Sequence, residues 1–149
     1  MIIKRILLPL AVAFCLAGCN SVEVRPLPYD AQIKDIKLIE NPKVIVDDFV
    51  PVMERNFAQH GIALKHFTPS AKLGENEYVI RYSAKRSWMV WPYLSDAYVK
   101  VYKGDMIVAE GKYHLIGRFF CLSPYKWQGA ETKMTPVFDE LLKNYRKQP

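Results

Sequence analysis

The stretch from residue 78 to 115 constrains the fold of this chain more than any other. Tyr78, Ile80 and Tyr82 alternate with Val79, Arg81 and Ser83, and Ala97, Val99 and Val101 alternate with Tyr98, Lys100 and Tyr102. A strand sends successive side chains to opposite faces, so a two-residue period of this length marks strands in a layered fold. The first run continues to Trp91, where Pro92 removes a ladder donor and ends it. Lys103-Gly104-Asp105 then makes a tight turn into a further strand over 106–115, which predicts a hairpin.

Shorter segments complete the pattern. Ile33, Ile36, Leu38 and Ile39 stand among polar residues ahead of the Asn41-Pro42 break and predict a first strand. A helix over 48–60 follows, with Asp47 or Asp48 as cap, Pro51 in the first turn and Gly61 at the C-cap. Its core-facing stripe is Phe49, Val52, Met53 and Phe57. Residues 62–67 read as a short strand, and 69–76 as a loop. Thr135-Pro136 opens a second helix with the stripe Val137, Phe138, Leu141, Leu142 and Tyr145. The expected class is α+β in the order β-α-β-β-β-β-α, a mainly antiparallel sheet of about five strands with two helices on one face.

The amino terminus is a processing signal. Lys4 and Arg5 precede an apolar run over 6–17 and then small residues ahead of Cys19. The run is about a dozen residues, short of the roughly 20 that a spanning helix needs. Leu16-Ala17-Gly18-Cys19 resembles the lipobox of bacterial lipoproteins. The resemblance implies that residues 1–18 are removed and that Cys19 is acylated, which anchors the protein to the bilayer without spanning it. Asn20 stands where lipoproteins retained in the inner membrane carry Asp, so the implied address is the outer membrane, facing the periplasm. The plainer alternative is an ordinary secretory signal with a chance cysteine. The expected organisation is a signal peptide over 1–18, a lipidated cysteine and tether over 19–31, and a single domain over 32–149. The tether is inferred from Arg25-Pro26-Leu27-Pro28, whose prolines favour extended chain. Fully extended, it would hold the domain about 30–40 Å from the lipid; the alternative is that part of it packs on the domain.

Loss of Lys4 and Arg5 with the leader lowers the formal net charge from +6 to +4. The remaining lysines are scattered rather than gathered on one element, which argues against a nucleic-acid partner. Cys15 leaves with the leader and Cys19 is lipidated, so Cys121 remains as a lone thiol between Phe120 and Leu122 and no internal disulfide is expected.

The chain offers little chemistry. His60, His66 and His114 form no closely spaced metal motif, and there is no phosphate loop, dinucleotide fingerprint or nucleophile elbow. Gly104-Asp105 and Gly111 are assigned to turn geometry. Asp47-Asp48 and Asp139-Glu140 sit at expected helix starts, where negative charge is favoured for structural reasons. No catalytic residue, metal or cofactor is expected.

The richest constellation is aromatic and basic. Trp88, Trp91 and Tyr93 surround the Pro92 bend, and Phe119, Phe120, Tyr125 and Trp127 precede the last helix, interleaved with Lys85, Arg86, Arg118 and Lys126. Two readings stand open. The rings cap the open face and ends of a small sheet, or Trp88, Trp91, Tyr93, Lys126 and Trp127 form a patch that binds a protein, a glycan or a lipid headgroup.

Asn41-Pro42-Lys43-Val44, Pro92-Tyr93-Leu94-Ser95, Tyr113-His114-Leu115, Lys126-Trp127-Gln128-Gly129 and Lys133-Met134-Thr135-Pro136-Val137 together resemble a family of small Gram-negative lipoproteins of unknown function. That resemblance spans about 33–145 and carries no catalytic residues with it. The element order is also similar to small periplasmic domains used in envelope assembly and peptidoglycan-synthase activation. The functional expectation is a non-enzymatic, membrane-anchored periplasmic module that binds an envelope protein or glycan. The alternatives are a cell-wall glycan or lipid hydrolase or transferase using Asp96, Glu110 or His114, and a small-ligand carrier with an apolar pocket between sheet and helices.

Overall fold

The computed structural model describes residues 20–33, 35–72, 74–116 and 124–145. The leader, Cys19, Arg118, Phe119, Phe120 and Cys121 lie outside the described residues, and with them the lipidation and free-thiol expectations. Six strands form one sheet: β1 (Asn20–Arg25), β2 (Asp35–Ile39), β3 (Ala63–Phe67), β4 (Tyr78–Trp88), β5 (Pro92–Lys103) and β6 (Met106–Leu115). The helices are α1 (Phe49–Gln59) and α2 (Ala130–Leu142), and a short 3₁₀ turn at Pro124–Trp127 leads into α2. The strand order is β1-β6-β5-β4-β2-β3. The α+β class is as expected, with two corrections to the sheet.

First, the sheet is mixed rather than mainly antiparallel. β2 runs parallel to both β3 and β4, while β4, β5 and β6 form an antiparallel meander to which β1 adds antiparallel beside β6. A helix separates β2 from β3, and a strand–helix–strand crossover returns the second strand parallel to the first.

Second, the segment expected to be a tether is part of the fold. Asn20–Arg25 is the sixth strand, paired from Asn20↔Leu115 to Arg25↔Glu110. The prolines that follow do not free the chain. Leu27 is fully buried, its N–H donates to the Leu141 carbonyl at 2.8 Å, and its own carbonyl accepts from Asn144 Nδ2 at 3.1 Å. Tyr145 OH donates to the Ile33 carbonyl, tying the next turn of chain to the end of α2.

Both helices cover one face of the sheet. Phe49 stacks on Tyr82 of β4 at 5.8 Å between centroids, and Phe49 and Phe57 meet the edge of Phe138 from α2 at 6.5 and 6.0 Å. These rings pack the helices onto the sheet and against each other. Gly111 lies within β6, not in a turn. A Cβ there would stand 2.7 Å from Val137 Cγ1, so the missing side chain sets how closely α2 approaches the sheet. His60 is the C-cap of α1, and Gly61, the residue after it, adopts φ +79° and ends the helix.

The helix starts differ from expectation for a shared reason. Asp48 precedes α1 but gives it no side-chain cap; its Oδ2 accepts instead from the Ala130 N–H at 3.0 Å and caps α2. With that partner, α2 starts five residues before Thr135 and takes Pro136 into its interior. Pro136 is on the exposed side of α2, where water can satisfy the carbonyl that loses its helical donor.

Candidate functional site

β4 and β5 extend beyond a register shift at Lys85/Arg86 and meet in a hairpin whose last pair is Trp88↔Pro92. A bulge of this kind re-aims the strands that follow it. The tip beyond it is apolar and exposed: Trp88, Val90 and Trp91 keep 74, 67 and 66% of their surface open and Met89 keeps 40%. Monomeric domains seldom show so much contiguous apolar surface without a use for it.

Directly behind the tip the chemistry reverses. Tyr93 and Leu94 turn inward, and two lysines, Lys126 of the 3₁₀ turn and Lys133 of α2, are buried beside them. Lys126 Nζ donates to Met89 Sδ at 2.9 Å and sits 4.6 Å from the Tyr93 ring centroid. Lys133 Nζ donates to the Lys126 carbonyl at 2.6 Å and the Leu94 carbonyl at 3.1 Å. It lies 6.0, 5.8 and 6.0 Å from the rings of Tyr93, Tyr113 and Tyr125. The faces of those rings, with the two carbonyls, replace the water a buried ammonium loses. The replacement is incomplete. Burial, with the nearby charge of Lys126, pulls the Lys133 amine down to about 8. Burial likewise raises the phenols of Tyr113 and Tyr125 above their ordinary range.

The five residues expected as one patch therefore divide. Trp88 and Trp91 are on the surface, Tyr93 and Lys126 are interior, and Trp127 is half-buried against the core. Core packing and exposure each describe a different subset. Lys133 carried a readable signal, because it falls with Ala130, Met134, Val137 and Phe138 on the buried stripe of α2. Placing the helix start at Thr135 concealed it.

Among the described residues, no element covers the sheet face away from the helices, and that face is mostly basic. Lys85, Lys100, Lys112 and His114 border a depression of about 310 Å³ together with Asp96 and Tyr98. Asp96 Oδ1 meets His114 Nδ1 at 2.5 Å, and its Oδ2 accepts from Ser95 Oγ at 2.8 Å. The carboxylate thus stands between hydroxyl and imidazole, whereas activation of a serine nucleophile puts the imidazole in the middle. Glu110 is held apart, at 3.3 Å from Lys100 and 3.4 Å from Lys112. Burial acts to raise its carboxyl, but the two lysines outweigh it and keep the group below the usual carboxylate range. An ionised Glu110 is a poor proton donor. On another edge, His66 bridges Glu54 at 2.5 Å and Glu40 at 3.4 Å, and these carboxylates raise its pKa, the Glu54 hydrogen bond most. Among the described residues no group of three metal-ligating side chains converges, and no helix is long and apolar enough to cross a membrane.

No protein-family model matches the chain, and no curated protein matches it. Among solved structures, PelC from Paraburkholderia phytofirmans, a dodecamer, superposes with a TM-score of 0.52 over 87% of this chain and 99% of its own, at 10% identity. A single-substitution variant of the same dodecamer gives 0.52, with 86% and 99% coverage and 12% identity. The fold is shared. A minor lipoprotein from Acinetobacter baumannii aligns over 74% of this chain and 87% of its own at 12% identity, with a TM-score of 0.28. At identities this low, the likeness to PelC speaks for fold alone.

Proposed function

We propose that this chain is a lipoprotein, held in the outer membrane through an acylated Cys19, whose periplasmic domain is a non-enzymatic binding or envelope-assembly module. What carries the reading is the junction at residue 19: Leu16-Ala17-Gly18-Cys19 ends where β1 begins at Asn20. PelC, which shares the fold, is a dodecamer in its solved structure, and assembly through the domain's surfaces is the use proposed here. The uncovered basic sheet face is the surface offered to an envelope protein or an acidic glycan.

Cells grown with an alkynyl fatty acid should yield labelled protein in the outer-membrane fraction, and Cys19→Ala should abolish the label and release the protein. Unlabelled wild-type protein overturns the anchor. Crosslinking in intact cells should trap an envelope component that Lys100→Glu with Lys112→Glu no longer retains; unchanged capture by a folded variant removes the sheet face from the proposal. The Asp96–His114 contact beside the depression supports a second reading, a hydrolase or transferase acting on cell-wall glycans or lipids. Asp96→Asn and His114→Gln with an unaltered envelope phenotype would discard it.

A further inference from the structure

Asn20, the residue after the proposed anchor, and the exposed hairpin tip belong to the same end of the sheet. Asn20 pairs with Leu115, and the neighbouring register runs His114↔Asp96 and Asp96↔Lys85. The start of β1, the end of β6, the start of β5 and the end of β4 are therefore neighbours along one sheet end. Trp88 lies three residues beyond Lys85, whereas Asn20 lies one pair beyond His114. The tip consequently projects about 7 Å or more past Asn20, and β1 and β4 are separated by three strand spacings, roughly 14 Å. Ile116, just past the end of β6 at the same sheet end, is also exposed. No slack intervenes, because the residue after Cys19 is already in the ladder.

We infer that the 88–91 tip is a membrane-inserting finger that seats the domain on the bilayer holding the Cys19 anchor. The inference rests on the anchor reading. Four consecutive apolar side chains with no acidic residue among them suit the boundary between headgroups and acyl chains, and tryptophan is the side chain most at home there. Lys85 and Arg86, at the bulge behind the tip, stand at the height of lipid phosphates once the tip is buried. The finger is stiffened from behind: Lys126 holds Met89, and Lys133 binds the 3₁₀ turn to β5. Its position leaves the basic sheet face upright and clear for a partner, roughly perpendicular to the membrane.

The test uses purified acylated protein in vesicles of phosphatidylethanolamine and phosphatidylglycerol, with and without brominated acyl chains that quench tryptophan on contact. Wild-type emission should lose most of the part contributed by Trp88 and Trp91. A Trp88→Phe, Trp91→Phe variant, which keeps Trp127 as an internal reference, should show little bromine-dependent loss. Unacylated Cys19→Ser protein added to the same vesicles should bind weakly, and Trp88→Ala with Trp91→Ala should lower that binding roughly tenfold. Acylated protein whose tip emission ignores bromine overturns the finger while leaving the anchor intact. If mass analysis of the amino-terminal peptide shows no acyl group, the anchor reading fails separately. Quenching of the unacylated protein then still supports the finger, and its absence overturns it. A tip shielded in proportion to protein density, irrespective of bromine, identifies a second copy as its occupant and also overturns the proposal.

Discussion

The two sides of the β4–β5 hairpin end invert the usual partition between surface and core. In front, Trp88, Val90 and Trp91 face solvent; behind them, Lys126 and Lys133 have almost no exposed surface. The exposed rings bury little of their surface, whereas the buried cations are held by carbonyls and tyrosine faces. The contrast teaches that the lysines are structural and the tryptophans are free to serve an external partner. A stability measurement and a surface measurement should therefore separate the two sets.

The largest break comes from the interior. Lys133→Glu sets a carboxylate against the Leu94 and Lys126 carbonyls that now accept hydrogen bonds from the ammonium, and should destabilise the domain by about 3–5 kcal/mol in urea unfolding. Gly111→Val comes next: its side chain meets Val137 of α2, and overpacking there should cost about 1–3 kcal/mol in the same assay.

The third test is pH. The folded protein releases the Lys133 proton near pH 8, while the unfolded chain retains it to the ordinary value of 10.5. Between these values the unfolded state binds more protons, so stability should climb with pH by up to about 1.4 kcal/mol per unit. Lys133→Met should flatten that rise. Above about pH 10 the sign reverses, because unfolded tyrosines ionise before Tyr113, Tyr125 and Tyr145, whose folded pKa values are raised. The smallest effect belongs to the front: Trp88→Ala with Trp91→Ala should shift unfolding by less than about 0.5 kcal/mol. A large loss there would mean that the tip supports the core, and the contrast would collapse.

Much of the fold was legible because its signals are local. Alternation marks β4 and β5, the Lys103-Gly104-Asp105 turn marks β6, and the apolar stripes mark both helices. The errors arose where the deciding contact is distant in sequence. Val22 and Val24 alternate with Glu23 and Arg25 as a strand does, yet the prolines just after them pointed to a tether; β6 and the end of α2 settle the matter. The start of α2 depends on a carboxylate 82 residues away. Strand direction was available in principle, since the helix between β2 and β3 demands a parallel return. The candidate site was legible as a composition but not as a surface. Tyr93 and Trp91 are two residues apart, and only the packing of α2 and the 3₁₀ turn decides which of them faces inward.

The pairing of β1 with β6 also has a mechanical side. A pull on the chain ahead of Asn20 acts along the strand axis and loads all six register pairs in shear, instead of peeling them apart singly. The bonds at Leu27 and Ile33 take up load only after that ladder has slipped. A chain gripped at its leading residue would thus resist extraction as a whole sheet, with β1 as the member under tension.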